Sequence, residues 1–137
     1  SDGLLAQCGI DLDTHRGEIA AGNLSALCDC PFVLGSAEDI GGRIGRGLLR
    51  SSGVSPVSKA TSENVETLLA LCEQGVGACF CPENLLHTAL SPEQLAHLHI
   101  LPLCPEASYP ICFGYLSRLY PWSVLSEFIR IAREQTA

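Results

Sequence analysis

Residues 61 to 82 run Thr-Ser-Glu-Asn-Val-Glu-Thr-Leu-Leu-Ala-Leu-Cys-Glu-Gln-Gly-Val-Gly-Ala-Cys-Phe-Cys-Pro, and this stretch decides the fold. Val65, Leu68, Leu69 and Cys72 recur at i, i+3, i+4 and i+7, the stripe of a helix with one buried face. Thr61 or Ser62 offers a hydroxyl to cap its start, and Gly75 stands where a helix ends in the left-handed conformation. Gly75 to Pro82 then predicts a buried strand, in which Gly77 and Ala78 are small enough for close packing. A capped helix that feeds directly into an interior strand is half of an α/β unit.

Working outward, the same alternation continues. Cys30 to Leu34 is a short apolar run ended by Gly35, as expected of a strand buried on both faces. A helix follows, with Ser36 as cap, Glu38 and Asp39 at its positive end, and Ile40, Ile44 and Leu48 at four-residue intervals before Gly53. Gly41, Gly42, Gly45 and Gly47 each cost that helix up to ~1 kcal/mol against alanine, so tertiary packing must hold it. Val54 to Ala60 predicts a second strand, which Pro56 pushes toward an edge or an early strand position. Downstream, Ser91-Pro92-Glu93-Gln94 opens a short helix with a capping box. His97 to Leu103 and Tyr109 to Leu116 predict two more strands. A last helix begins near Ser123, with Leu125, Phe128, Ile129 and Ala132 on one face and Arg130 and Arg133 near its negative end. Strands alternating with helices imply an α/β, Rossmann-like architecture, a mostly parallel sheet flanked by helices. The first 29 residues are the least patterned: Gly3 to Ile10 is apolar, and Asp11 to Gly22 is polar and glycine-bearing, like a connector.

Composition narrows the function. With 137 residues, 47% of them hydrophobic, one compact domain is expected. A formal charge of -7, with eight Lys and Arg that form no run, excludes a grip on nucleic acid by these residues alone. No apolar stretch reaches the ~18 residues of a membrane span, and no targeting signal is visible, so a soluble chain is expected. The eight cysteines (Cys8, Cys28, Cys30, Cys72, Cys79, Cys81, Cys104 and Cys112) fall largely in apolar runs, where a thiol serves as a small hydrophobe in a reducing cytosol. The pairs Cys28-Asp29-Cys30 and Cys79-Phe80-Cys81 make the best case for zinc, but alternate residues on a strand stand roughly 6.5 Å apart from rise alone. Neither metal nor cofactor is predicted.

Enzyme signatures are weak. There is no Gly-x-Ser-x-Gly elbow and no lysine after a phosphate-binding glycine loop. Gly41-Gly42-Arg43-Ile44-Gly45 lies inside a helical pattern, not directly after a strand, as a dinucleotide turn requires. His97 and His99 lack a third metal ligand nearby. A Cys104 nucleophile paired with His99 stays open.

The start of the 65–72 helix is the best candidate site. Unpaired amide N–H groups, the Thr61 and Ser62 hydroxyls and the positive end of the helix dipole suit a carboxylate or other small anion, with Asn64 as a neutral donor. Glu63 and Glu66 would compete with that anion. Cys81 and Pro82 belong to the same cleft edge, because ligands of open α/β sheets gather at the carboxyl ends of strands. The plainer alternative is that Thr61 only caps its helix and Pro82 only ends its strand.

The order Thr61-Ser62-Glu63-Asn64-Val65, then Gly75-Val76-Gly77-Ala78-Cys79-Phe80-Cys81-Pro82, resembles the second subdomain of the effector-sensing domain of LysR-type transcriptional regulators. Leu24-Ser25-Ala26-Leu27 before Pro31-Phe32-Val33-Leu34, and Phe128-Ile129 with Arg133-Glu134, extend the resemblance over about residues 20–135. It implies a type II periplasmic-binding-protein subdomain, with 1–22 a connector or remnant of the first subdomain, 23–116 the second, and 117–137 a helix that returns to the first. It also implies a non-enzymatic, cytoplasmic sensor of a small, anionic metabolite. In that family the effector lies in the cleft between subdomains, so Thr61, Ser62, Asn64, Cys81 and Pro82 are its expected contacts. DNA is reached only through an N-terminal helix-turn-helix that these residues lack, in a homo-oligomer, tetramer or dimer. The competing readings are a periplasmic-type solute-binding domain and a cysteine- or zinc-dependent enzyme or redox sensor.

Overall fold

The computed structural model describes residues 1–103, 110, 112, 114 and 122–136. Its centre is strand β1 (Pro31–Gly35), whose Phe32, Val33 and Leu34 are almost completely buried, as a strand covered on both faces must be. Strand β2 (Val57–Ser62) pairs parallel to it as an exposed edge, and a register shift between Phe32 and Val33 leaves Lys59 as an extra residue. On the other side of β1 the expected 75–82 strand is reduced to a single parallel bridge. Ala78 N–H donates to the Pro31 carbonyl at 2.8 Å, and Val33 N–H donates to the Ala78 carbonyl at 2.9 Å. Pro82 has no N–H to extend that ladder and instead occupies the cap position of the next helix.

Helix α3 (Ile40–Ser51) connects β1 to β2, and α4 (Val65–Glu73) connects β2 to the Ala78 strip. The α3 cap is Asp39, not Ser36: its carboxylate accepts the Gly42 N–H at 3.1 Å, while the Ser36 hydroxyl accepts the Glu38 N–H one turn too early to open the helix. The glycines of α3 prove to be packing devices. A β-carbon on Gly42 would lie 2.0 Å from the Ser36 carbonyl oxygen, and one on Gly45 2.3 Å from the Phe80 ring. Phe80 in turn stacks on Phe32, with ring centroids 6.0 Å apart. Gly75 ends α4 at φ +74°, as its position predicts.

The amino-terminal stretch departs from its connector-like pattern. It forms α1 (Asp2–Cys8) and α2 (Leu12–Ala20), which bury Leu4, Leu12 and Ile19 in the same core as Phe32, Leu34 and Leu49. Asp11 caps α2 by accepting from Asp13 N–H at 3.0 Å and from the Thr14 hydroxyl at 2.8 Å. Leu12 and Ile19 lie seven residues apart, hence on one face, and two anchors suffice where a fuller stripe is absent.

Beyond the sheet come α5 (Glu83–Ala89) and α6 (Pro92–Ala96), the latter with the reciprocal Ser91–Gln94 capping box expected of it. Leu69, Leu86 and Leu90 form a second, smaller core between α4 and α5. The strand expected at His97–Leu103 does not form. His97 and Leu98 are used to close α6, and Pro102 removes a further ladder donor. The strand expected at Tyr109–Leu116, and Cys104, lie outside the described residues. Helix α7 (Ser123–Thr136) starts where the sequence places it, with Leu125, Ile129 and Ala132 half-buried and Phe128 exposed.

Candidate functional site

Two places combine polar or reactive groups with open space, and the first is the carboxyl edge of the sheet. Leu34 stands opposite Thr61 and Gly35 opposite Ser62, so both strands end level and the α3 and α4 amino termini rise side by side. Strand pairing runs through Ser62, so α4 begins only at Val65 and neither Thr61 nor Ser62 stands at its cap position. The cap is Asn64, whose side-chain oxygen accepts the Thr67 N–H at 3.0 Å. The Ser62 hydroxyl accepts the Asn64 N–H at 3.1 Å and donates to the Asn64 carbonyl at 3.4 Å, which locks the turn.

Relieved of capping, the exposed Thr61 hydroxyl bonds to no other described residue, and the Val65 and Glu66 amides have no acceptor within the helix. Across the edge, the half-buried Arg46 guanidinium donates to the Gly35 carbonyl at 2.9 Å. Its Nε is buried without an acceptor among the described residues. The same end of the sheet carries Glu38, Asp39, Glu63 and Glu66 in the segments that follow β1 and β2.

The second place is a cavity of about 460 Å³ walled by Leu4, Leu12 and Ile19 from the first two helices, Phe32 from β1, Leu69 from α4, and the 78–84 strip. Cys30, Cys72, Cys79 and Cys81 line it, and Pro82 stands at its wall. The expected site residues are therefore divided: Thr61, Ser62 and Asn64 come together at the sheet edge, while Cys81 and Pro82 line the cavity and the first three do not. Sequence reasoning missed Arg46 and the contribution of α1 and α2 to the cavity. The deep apolar anchors Leu12 and Ile19 were the available signal.

The thiols differ sharply in acidity. Burial first, and then the neighbouring Cys8, pushes Cys30 up to about 12. Burial first, and then the Cys72 charge, pushes Cys81 up to about 11, and its Sγ donates to the Pro82 carbonyl at 3.3 Å. Cys72 goes the other way, down to about 7, chiefly because the Cys79 thiol donates a hydrogen bond to its sulfur, and Cys79 is correspondingly pushed far up. Cys28 is exposed while Cys30 is buried, so that Cys-x-Cys pair faces opposite ways. No group of three or more His, Cys, Asp or Glu that could hold a metal ion occurs among the described residues.

A parallel α/β layer that gathers two helix amino termini at its carboxyl edge, beside an apolar cavity, is the form of a small-molecule-binding module. Residues 15–137 match the family model described as the LysR substrate binding domain, and the chain belongs to that family. Its architecture is accordingly the α/β, type II periplasmic-binding-like fold, and its role is regulatory ligand binding in a LysR-type transcriptional regulator. No curated protein and no solved structure matches the chain. No helix among the described residues is long and apolar enough to cross a membrane.

Proposed function

We propose that the chain senses a small anionic metabolite at the carboxyl edge of its sheet, with Thr61, Ser62 and Asn64 as the contacts. The observation that carries this reading is the level ending of β1 and β2, just ahead of α4, where the Thr61 hydroxyl bonds to no other described residue and Arg46 donates to the Gly35 carbonyl. An anion there meets two amide N–H groups and a hydroxyl. Cys81 and Pro82 contribute from the adjoining cavity wall, suited to the apolar portion of the metabolite. Residues 23–116 act as one lobe of a two-lobed sensor and 117–137 as the helix returning to the other lobe. A helix-turn-helix outside residues 1–137 contacts DNA, in a cytoplasmic homo-oligomer. Effector preference for the closed cleft biases that assembly.

The test is a double Thr61→Ala, Ser62→Ala substitution in the regulator that carries these residues. Effector-dependent transcription should weaken at least about tenfold in effector concentration, with unchanged protein level, as expected for the loss of about 1.4 kcal/mol of binding. An unchanged response would remove both residues from the site.

A further inference from the structure

We propose that the cavity of about 460 Å³ binds an uncharged aromatic molecule, a ligand in its own right beside the anion at the sheet edge. Its volume falls within the roughly 300–1,000 Å³ usual for small-molecule pockets. The sequence leaves this space open in two ways. Between its buried ends, Leu12 and Ile19, helix α2 carries Asp13, Thr14, His15, Arg16, Gly17 and Glu18, so no apolar side chain fills the middle of its inner face. On the opposite wall stand Cys30, Cys72, Ala78 and Cys79, all too short to reach across. Neither Thr61, Ser62 and Asn64 nor Arg46 lines the cavity, and of the residues expected at the anion site only Cys81 and Pro82 touch it.

The lining selects against charge. Among the described residues it includes neither Lys nor Arg, so an anion finds no counter-ion there. His99, an exposed member of the wall, is already engaged by the Asp2 carboxylate at 2.5 Å. Glu83, the one carboxylate of the wall, is exposed and stays hydrated, so it offers a buried cation no close partner. The Cys30 and Cys81 thiols donate to the carbonyls of Pro31 at 3.5 Å and Pro82 at 3.3 Å, and burial keeps both protonated. A charge brought into such a wall gives up its hydration without compensation. What the wall does offer is soft, polarisable surface. Phe32 and Phe80, stacked with ring centroids 6.0 Å apart, both line it together with the cysteine sulfurs. An aromatic ring system gains from such neighbours beyond the area it buries. Asn84, exposed at the same wall, supplies one neutral amide for a hydroxyl or ring nitrogen on the ligand.

The experiment titrates the reduced chain, isotope-labelled at its Leu and Ile methyl groups, with N-phenylnaphthylamine, an uncharged arene that fluoresces when it leaves water. The expected result is saturable binding of one probe per chain. Methyl resonances of Leu12, Ile19 and Leu69, which line the wall, should shift, while those of Leu49, equally buried but outside the wall, hold their positions. Anilinonaphthalene sulfonate, the same rings with a negative charge, and the cationic dye thioflavin T should each bind at least about tenfold more weakly. A Cys79→Phe chain, in which the larger side chain fills the space, should lose at least about tenfold in affinity for the neutral probe. If that variant fails to fold by circular dichroism, the methyl map of the unsubstituted chain decides alone. Either charged dye binding as tightly as the neutral probe, shifts at Leu49 as large as those in the wall, or no saturable binding overturns the proposal. No readout here involves transcription or the anion at the sheet edge, so this site and that one fail separately.

Discussion

Alanine at Gly77 and at Gly47 should move stability in opposite directions. Gly77 is buried where the 78 strip docks on β1, and a β-carbon there would stand 2.8 Å from the Pro31 oxygen and 2.9 Å from the Phe32 carbonyl carbon. Both neighbours are backbone of the most buried strand, so neither can yield by changing a rotamer. The bridge must open, weakening the 2.8 Å and 2.9 Å hydrogen bonds that tie Ala78 to Pro31 and Val33. Two such bonds contribute about 1 kcal/mol each, of which weakening forfeits about half, and overpacking adds ~1–3 kcal/mol. The expected loss is about 2–4 kcal/mol. Gly47 lies exposed in the middle of α3 with nothing within 4 Å of its would-be β-carbon, so alanine there should gain about 0.5–1 kcal/mol of helix propensity. Urea unfolding followed by circular dichroism measures both. With a slope of about 2 kcal/mol/M, the Gly77→Ala midpoint falls by roughly 1–2 M while that of Gly47→Ala rises by a few tenths. Equal shifts in the two variants, or a native midpoint for Gly77→Ala, would refute the placement of the third sheet segment.

Replacing Asn64 by alanine removes the α4 cap and should cost about 1 kcal/mol in the same assay, whereas Thr61→Ala, at an exposed position without a cap role, should leave the midpoint within about 0.5 kcal/mol. If Thr61→Ala proved the more damaging of the two, Thr61 and not Asn64 would be the cap. Alkylation by iodoacetamide should show Cys72 reacting with a midpoint near pH 7, while Cys30 and Cys81 stay unreactive until far more alkaline solution. For stability the sign follows from the lowered value: the Cys72 contribution is fully present above the usual 9.0 and is lost as pH falls through about 7. A Cys72 titration at or above its usual value would show that the Cys79 hydrogen bond is not made in solution.

Most of the sheet was legible because its signals are local. Pro31–Gly35, the Val65–Cys72 stripe, Gly75 and the Ser91–Gln94 box each carry their own punctuation, and each forms where that punctuation puts it. The failures share one cause, competition for backbone that local pattern does not reveal. Ser36 and Ser62 have the right chemistry to cap, but strand pairing extends through Gly35 and Ser62 and pushes each cap two or three residues further, to Asp39 and Asn64. The polar run 11–22 conceals a helix because two residues, Leu12 and Ile19, carry its burial.

The same competition explains the division of the candidate site. At the edge, the displaced caps leave the Thr61 hydroxyl uncommitted, while the Ser62 hydroxyl is engaged with Asn64 on both sides. In the cavity, Cys72 was legible only as a hydrophobe on a helical stripe and Cys79 only as a hydrophobe in a strand, because each pattern was taken within its own element. Both line one cavity because the Gly75 reversal turns the chain back between the elements. Their acidities part in the same wall: hydrogen bonding from Cys79 lowers Cys72, whereas burial pushes Cys81 upward.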